Sequence, residues 1–482
     1  MQSYFDVPRF DWIVLFPFLA IAFTGIAGLL CLLIQPKSQS QSIFYVTIVG
    51  IGIATLVQFC LFGNEYTELG EMITKVNPGM IGEALILLSL FVVVLLSKPY
   101  FVRTNNSCPE FYPLICWSAL GGMIMCSTDN LLGIFIGLEL LSISLYVLAG
   151  SKKRSKFSQE AAMKYFLLGA FSTGFLLYGI AFLYGASGTL RLDAFNLFMS
   201  PAHPENRPML VLSFAFLMVG IGFKCGLVPF HQWIPDVYAG APINVVTFMA
   251  TGAKIGPFIA LYNIVIGSTM LKAIAFPVCL IISILSMVIG NIMAFSQRDV
   301  KKMLAYSSMV NAGYILIYLA GLLRGHADSR EVFGYFLIGY VFATLGIFVI
   351  LGLIAKDEKE PITLHSLRGL SKTNPGLAAL LVIFVLSQIG IGPVAGFVGK
   401  LLVVLNLVKL DQTWLAIILL ANSAFAVFYY LKIIKAAYSD SDDAPASYET
   451  CFSIKTALAI CCIGVLGTVI LYSPLVNYLK PH

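Results

Sequence analysis

Charge is what this chain has least of. Of its 482 residues 11% are charged and 59% hydrophobic, with a mean hydropathy of +0.89; a soluble chain carries about 25% charged residues. That excludes a water-soluble globular domain and leaves a polytopic membrane protein. The formal net charge is only +6. Lysines and arginines held in cytoplasmic loops account for it, so no nucleic-acid partner is implied. The ten cysteines show no C-x-x-C pair and no metal-ligand spacing. Most lie inside apolar runs, where cysteine acts as a small hydrophobe, and a disulfide framework, an iron–sulfur cluster and a zinc site are not expected. No glycine-rich nucleotide loop follows a strand pattern, so no nicotinamide or flavin is expected on this chain. The opening residues, Met1 to Asp6, are neither basic nor followed by a small-residue cleavage site. The first span is expected to direct insertion by itself.

What is present is a succession of apolar runs, each near the roughly 20 residues a bilayer crossing needs. Fourteen such segments are predicted, from Phe10–Ile34 to Thr456–Leu479, with the seventh (Met209–Ala239) and twelfth (Gly376–Val408) too long or too interrupted for one straight helix. The fold class is all-α. Loops after odd-numbered segments hold seventeen Lys and Arg, against seven after even-numbered ones. This puts the odd loops in the cytoplasm or matrix and both termini on the far side. Arg9 and Lys480 flank the ends, and four basic residues are left within spans: Lys164, Lys224, Lys254 and Lys400.

A charged lysine at bilayer depth costs about 2.5–3.5 kcal/mol on insertion scales, so these positions carry information. Lys224 lies in Gly222-Phe-Lys-Cys-Gly-Leu-Val-Pro229-Phe-His231, where an apolar run meets Pro229 and Pro235. Lys254 lies mid-span beside Gly256 and Pro257, and Lys400 follows the run Gln388 to Gly399, rich in glycine. Broken helices of this kind are tolerated where the backbone faces protein or a water-filled cavity, as in transporter ion sites. A structural lysine bonded to unwound carbonyls is the plain alternative at each; three of them near the midplane favour a shared pathway. Lys164 is one turn from Glu160, and an interfacial i,i+4 pair that snorkels is an equal reading there. Glu139 has no other charge in its span and needs a basic partner, for which Lys224 is the candidate. His231 suits either a core hydrogen bond or proton relay.

The broken seventh and twelfth segments are five apart. An odd offset gives two five-helix units of opposite topology, the inverted-repeat plan of transporters. The expected division is 1–107 (segments one to three), 108–266 (four to eight), 267–437 (nine to thirteen) and 438–482 (C-terminal loop and last segment).

Four stretches then carry a resemblance: Gly137-Leu-Glu-Leu-Leu-Ser-Ile-Ser-Leu-Tyr146, Glu160-Ala-Ala-Met-Lys-Tyr-Phe-Leu-Leu-Gly-Ala-Phe-Ser172, Pro229-Phe-His-Gln-Trp-Ile-Pro-Asp-Val-Tyr-Ala-Gly240 and Asp299-Val-Lys-Lys-Met-Leu-Ala-Tyr306-Ser-Ser308. From about Ser127 to Lys435 the chain resembles the antiporter-like membrane subunits of respiratory complex I, most closely the N type. The resemblance implies proton translocation driven by electron transfer from NADH to quinone, with no redox centre on this chain. NADH, FMN, iron–sulfur clusters and quinone are then expected in partner subunits. It also implies neighbours of the antiporter-like M and L types and the small K, J and A types, in a bacterial inner membrane or, alternatively, a mitochondrial one. Residue by residue, Glu139 and Lys224 look like the family's ion pair, Lys254 like the central lysine and Lys400 like the exit-side lysine. His231 looks like the link between Lys224 and Lys254, and Tyr306 like a lining residue of the second half-channel. Two rival readings remain: a cation/proton antiporter subunit of the Mrp type, which shares fold and lysines, and a scaffold with vestigial lysines.

Overall fold

The computed structural model describes residues 12–34, 39–63, 66–68, 72–75, 77–104, 106, 108–192, 194–195, 207–267, 269–324, 330–355, 361–440, 448 and 450–473. Arg9, Lys37, Lys356, Lys359, Lys480 and the outer ends of the first and last predicted segments lie outside them. The helices are α1 (Trp12–Ile34), α2 (Gln39–Leu61), α3 (Asn77–Thr104), α4 (Phe111–Cys126), α5 (Leu131–Ala149) and α6 (Lys156–Ser187). There follow α7 (Arg207–Cys225), α8 (Trp233–Gly240), α9 (Ile243–Ala250), α10 (Gly252–Gly267), α11 (Thr269–Ser296), α12 (Val300–Arg324) and α13 (Arg330–Ile354). The chain finishes with α14 (Pro375–Ile389), α15 (Ala395–Lys409), α16 (Thr413–Tyr438) and α17 (Phe452–Ile470).

Every predicted apolar segment is helical, but length alone does not yield fourteen crossings. With α9 and α10 taken as one span, twelve helices among the described residues are long and apolar enough to cross a membrane, while α4 and α14 are shorter. One small hairpin departs from the all-helical expectation: Tyr66–Glu68 pairs antiparallel with Ile73–Lys75. It closes one end of the bundle, where Thr74 N–H donates to Ser127 O at 2.7 Å.

The breaks have local causes. α7 stops at Gly226, whose φ of +77° suits glycine, and Trp233 Nε1 donates to Phe223 O at 2.9 Å to hold the restarting helix against the end of α7. α14 ends at Gly390 (φ +83°), and the chain bends through Gly392 (φ +89°) and Pro393, where Val394 N–H donates to Gly392 O at 2.9 Å, before α15 begins. A third break was not anticipated. Thr251, at φ −123° and ψ −92°, separates α9 from α10, so Lys254 is in the first turn of a new helix.

The two least hydrophobic spans are the most enclosed. The spans Ile243–Gly267 and Val300–Arg324 have the lowest mean hydropathy, 1.4, and their apolar cores are wholly buried. Hydropathy does not sort the rest: at 2.5, α11 is one-third buried, whereas α3 and α13 are 83% and 89% buried. The two polar spans are enclosed because only contact with protein spares them the cost of showing polar groups to lipid. The connections also segregate. Val300 N–H donates to Ile362 O at 2.8 Å and Gly369 N–H to Ser439 O at 2.9 Å, joining the loops after the ninth, eleventh and thirteenth segments at one end. Leu192 N–H donates to Asp129 O at 2.8 Å at the opposite end. The basic loops thus share one face, as the Lys and Arg count requires.

Candidate functional site: a buried lysine row

Lys224 is the last residue but one of α7 and is buried. Its ammonium donates to Tyr146 Oη at 2.9 Å and lies 4.6 Å from the centroid of the Tyr146 ring and 4.8 Å from that of Tyr165. Tyr165 in turn stacks on Trp233 at 4.5 Å. Aromatic faces and one hydroxyl therefore receive this charge.

The expected partner, Glu139, is near enough to act on Lys224 by its charge but is not in contact with it. Among the described residues no ion pair joins Glu139 to Lys224, and Glu139 Oε1 has no hydrogen bond. Glu139 is two turns before Tyr146 and so on the same side of α5, where its charge acts on both Tyr146 and Lys224. Its Oε1 is buried, while Ile136 and Ile143 beside it are 52% and 57% exposed. His231 does not bridge Lys224 and Lys254. It is half-buried in the loop after α7, hydrogen-bonds neither Lys224 nor Lys254, and its Nδ1 has no partner. What approaches Lys254 is the Gly226 turn itself, where an added Cβ would lie 3.6 Å from Lys254 Nζ.

Lys254 Nζ donates to Ser308 Oγ at 2.9 Å and lies 3.4 Å from Ser308 O. Tyr306, the residue singled out on α12, is buried but hydrogen-bonds none of the four lysines; Ser308 is the one that meets the row. Lys400, on the first turns of α15, donates to Gln388 O (2.9 Å), Ile389 O (2.8 Å) and Ser423 Oγ (3.1 Å) and lies 4.9 Å from the Tyr314 ring centroid. Gln388 and Ile389 end α14, so their carbonyls are among those a helix leaves free at its negative end. No carboxylate pairs with Lys254 or Lys400 among the described residues.

Glu160 and Lys164 lie off this row. Lys164 Nζ is 2.8 Å from Glu160 Oε1 and 2.7 Å from Asp236 Oδ2, with all three partly exposed. They line a cavity of about 590 Å³ at the basic end, together with Lys152, Asp299 and Lys301. Three lysines assigned to loops by sequence, Lys75, Lys152 and Lys301, are in fact buried. Lys301 donates to Ala239 O (2.9 Å) and Ala241 O (2.8 Å) at the end of α8. Lys75 forms a fully buried pair with Glu83 at 2.6 Å and donates to Gln58 Oε1 at 2.9 Å. Ser308, Gln388 and Lys75 carried no signal of charge inside an apolar run; Lys301 stood in a quoted motif but was counted by its position at a helix start.

A bundle of interrupted helices with lysines strung through its enclosed core is the build of an ion-translocating membrane protein. Residues 128–426 match the family described as NADH:quinone oxidoreductase/Mrp antiporter, TM. The chain is 35% identical over 433 residues to NADH-quinone oxidoreductase subunit N of Trichlorobacter lovleyi, covering 88% of this chain and 87% of that one. Its fold matches a chain of respiratory complex I from Thermus thermophilus with bound aureothin, at a TM-score of 0.82 and 30% identity, over 96% of this chain and 99% of the other. A chain of the Mrp complex from Dietzia sp. matches at a TM-score of 0.84 and 16% identity, over 97% and 96%, a likeness of fold alone. The chain belongs to the NADH:quinone oxidoreductase/Mrp antiporter membrane family, among its subunit N relatives.

Proposed function

We propose that this chain is a proton-translocating, multi-pass subunit of an NADH:quinone oxidoreductase in a bacterial inner membrane, beside antiporter-like M and L types and small K, J and A types. The observation that carries it is that Lys224, Lys254 and Lys400 are all buried and are held by hydroxyls, rings and carbonyls. A lysine without a carboxylate partner gains and loses a proton more readily than one locked in a buried pair. In this reading a proton reaches Lys224 from the basic end, passes the Gly226 turn to Lys254 and leaves by way of Lys400. The units 108–266 and 267–437 form the two half-channels, each with its broken helix. Glu139, on the Tyr146 side of α5, acts on Lys224 by its charge and is the group for a neighbouring subunit to pull on. A charge brought to about 4 Å of it would change its energy by about 4 kcal/mol at an effective dielectric near 20. Electrons stay in partner subunits, where NADH, FMN, iron–sulfur clusters and quinone are bound.

The test is NADH-driven proton uptake into sealed vesicles, comparing wild type with Lys254→Ala after confirming that the complex assembles and oxidises NADH. Loss of uptake in the assembled variant is expected. Unchanged uptake sinks the reading, and sodium exchange by the chain then becomes the alternative to measure.

A further inference from the structure

Far from the lysine row, the first two helices leave a groove between them on the outside of the bundle. α1 and α2 close on each other at Thr24 and Gly50, where an added Cβ would run into the threonine side chain. Along this seam lies a cavity of about 610 Å³, lined by Ala20, Thr24 and Gly50 with Phe16, Phe23 and Tyr45 standing exposed beside them. Thr24 and Tyr45 are the only polar side chains in the lining, and Thr24 Oγ1 already donates to Ala20 O at 2.6 Å. The groove therefore asks for hydrocarbon. On α1 its lining runs from Phe16 to Ala27, about 16 Å at 1.5 Å per residue. One leaflet of a bilayer offers about the same depth, half of a core roughly 30 Å thick.

One end of the groove carries a charge. Lys98 Nζ lies 5.0 Å from the centroid of the Tyr45 ring and 4.7 Å from that of Phe44. Tyr45 is near the start of α2 and Lys98 near the end of α3, so both are at the basic face. Lys153, Lys164 and Lys372 at that face each meet a carboxylate. Lys98 is partly exposed and has none among the described residues.

We propose that the groove between α1 and α2 binds an anionic phospholipid of the leaflet on the basic side, with an acyl chain along the Thr24–Gly50 seam and its phosphate on Lys98. The inference is independent of the proton path. A lysine at the membrane surface draws anionic headgroups, while its stem and the tyrosine ring bridge from hydrocarbon to water. A zwitterionic lipid brings its own cation beside the phosphate and gains less from Lys98. A helix of another chain would answer the apolar length, but only one with an acid at the right level would also answer the charge. An anionic lipid answers both.

The experiment uses the assembled complex in membrane vesicles and two photoactivatable lipids with the same diazirine-bearing tail, a phosphatidylglycerol and a phosphatidylcholine. Labelling is read by mass spectrometry on peptides from α1 and α2. The phosphatidylglycerol probe is expected to label them, and unlabelled phosphatidylglycerol to compete better than phosphatidylcholine. Lys98→Gln should lower that labelling about fivefold, the share of one lysine near an anionic surface, and Lys98→Arg should retain it. Ala27→Phe, which fills part of the groove, should lower labelling by either lipid. Equal labelling and equal competition by the two lipids in the wild type overturn the proposal, whether or not any variant assembles. So does phosphatidylglycerol labelling that survives Lys98→Gln. Absence of label from α1 and α2 in the assembled complex would mean that a partner subunit covers the groove, and overturns it as well.

Discussion

Two parts of this protein bury lysines in opposite ways. In the N-terminal part, Lys75 faces Glu83 at 2.6 Å with neither side chain exposed, Gln58 takes a second hydrogen bond, and Ser127 Oγ donates to the other carboxylate oxygen. In the central part, Lys224, Lys254 and Lys400 have no carboxylate within ion-pair distance among the described residues and rest on rings, hydroxyls and helix-end carbonyls. The first arrangement pins the hairpin to α2, α3 and the end of α4 through one buried pair. The second leaves the charge free to come and go. Burial of a lysine therefore says little by itself; the partner decides whether it is a fastening or a site.

The comparison can be broken most forcefully at the fastening. Glu83→Gln leaves Lys75 buried without its counter-charge, and a loss of about 3–5 kcal/mol is expected. Thermal unfolding of the purified complex should show it, and the double change Lys75→Met with Glu83→Met should recover most of the loss. A double variant as unstable as the single one would mean that the pair does not act as a unit. Lys254→Ala, by contrast, should cost uptake far more than stability. A smaller effect is expected at the hinge between the first two lysines. Gly226→Ala forces a side chain into left-handed backbone, worth about 1–2 kcal/mol, and its Cβ would meet Ile234 Cδ1 at 2.1 Å. Slower uptake with near-normal assembly is the expected result, and uptake at the wild-type rate would remove the turn from the path. The smallest change belongs to Lys164, whose pairs with Glu160 and Asp236 are about half exposed. Lys164→Met should cost about 0–1 kcal/mol, shrinking as salt is raised. A loss above that, independent of salt, would move Lys164 from the rim into the working row.

Much of the site was legible because charge inside an apolar run is expensive and therefore conspicuous. Lys224, Lys254 and Lys400 stood out on that ground, as did the breaks around Gly226 and Gly390. Gln388 and Ser308 did not, since uncharged polar residues are common in spans and only their neighbours reveal their use. Lys75 and Lys301 were misassigned for the converse reason. Each sits at the boundary of an apolar run, where sequence predicts solvent, yet each is folded inward onto Glu83 or onto the carbonyls of α8.

The sequence by itself determined the membrane, the helices, their orientation and three of the breaks' chief ingredients, glycine, proline and lysine. These follow from local costs: of backbone groups in lipid, of charge in lipid, and of left-handed backbone for residues with a Cβ. Only the tertiary structure decided who partners whom. It kept Glu139 short of ion-pair contact with Lys224, gave Lys224 to Tyr146, Lys254 to Ser308 and Lys400 to the end of α14. Those pairings join residues 11 to 78 positions apart, and their energies depend on directions and distances that no single segment contains.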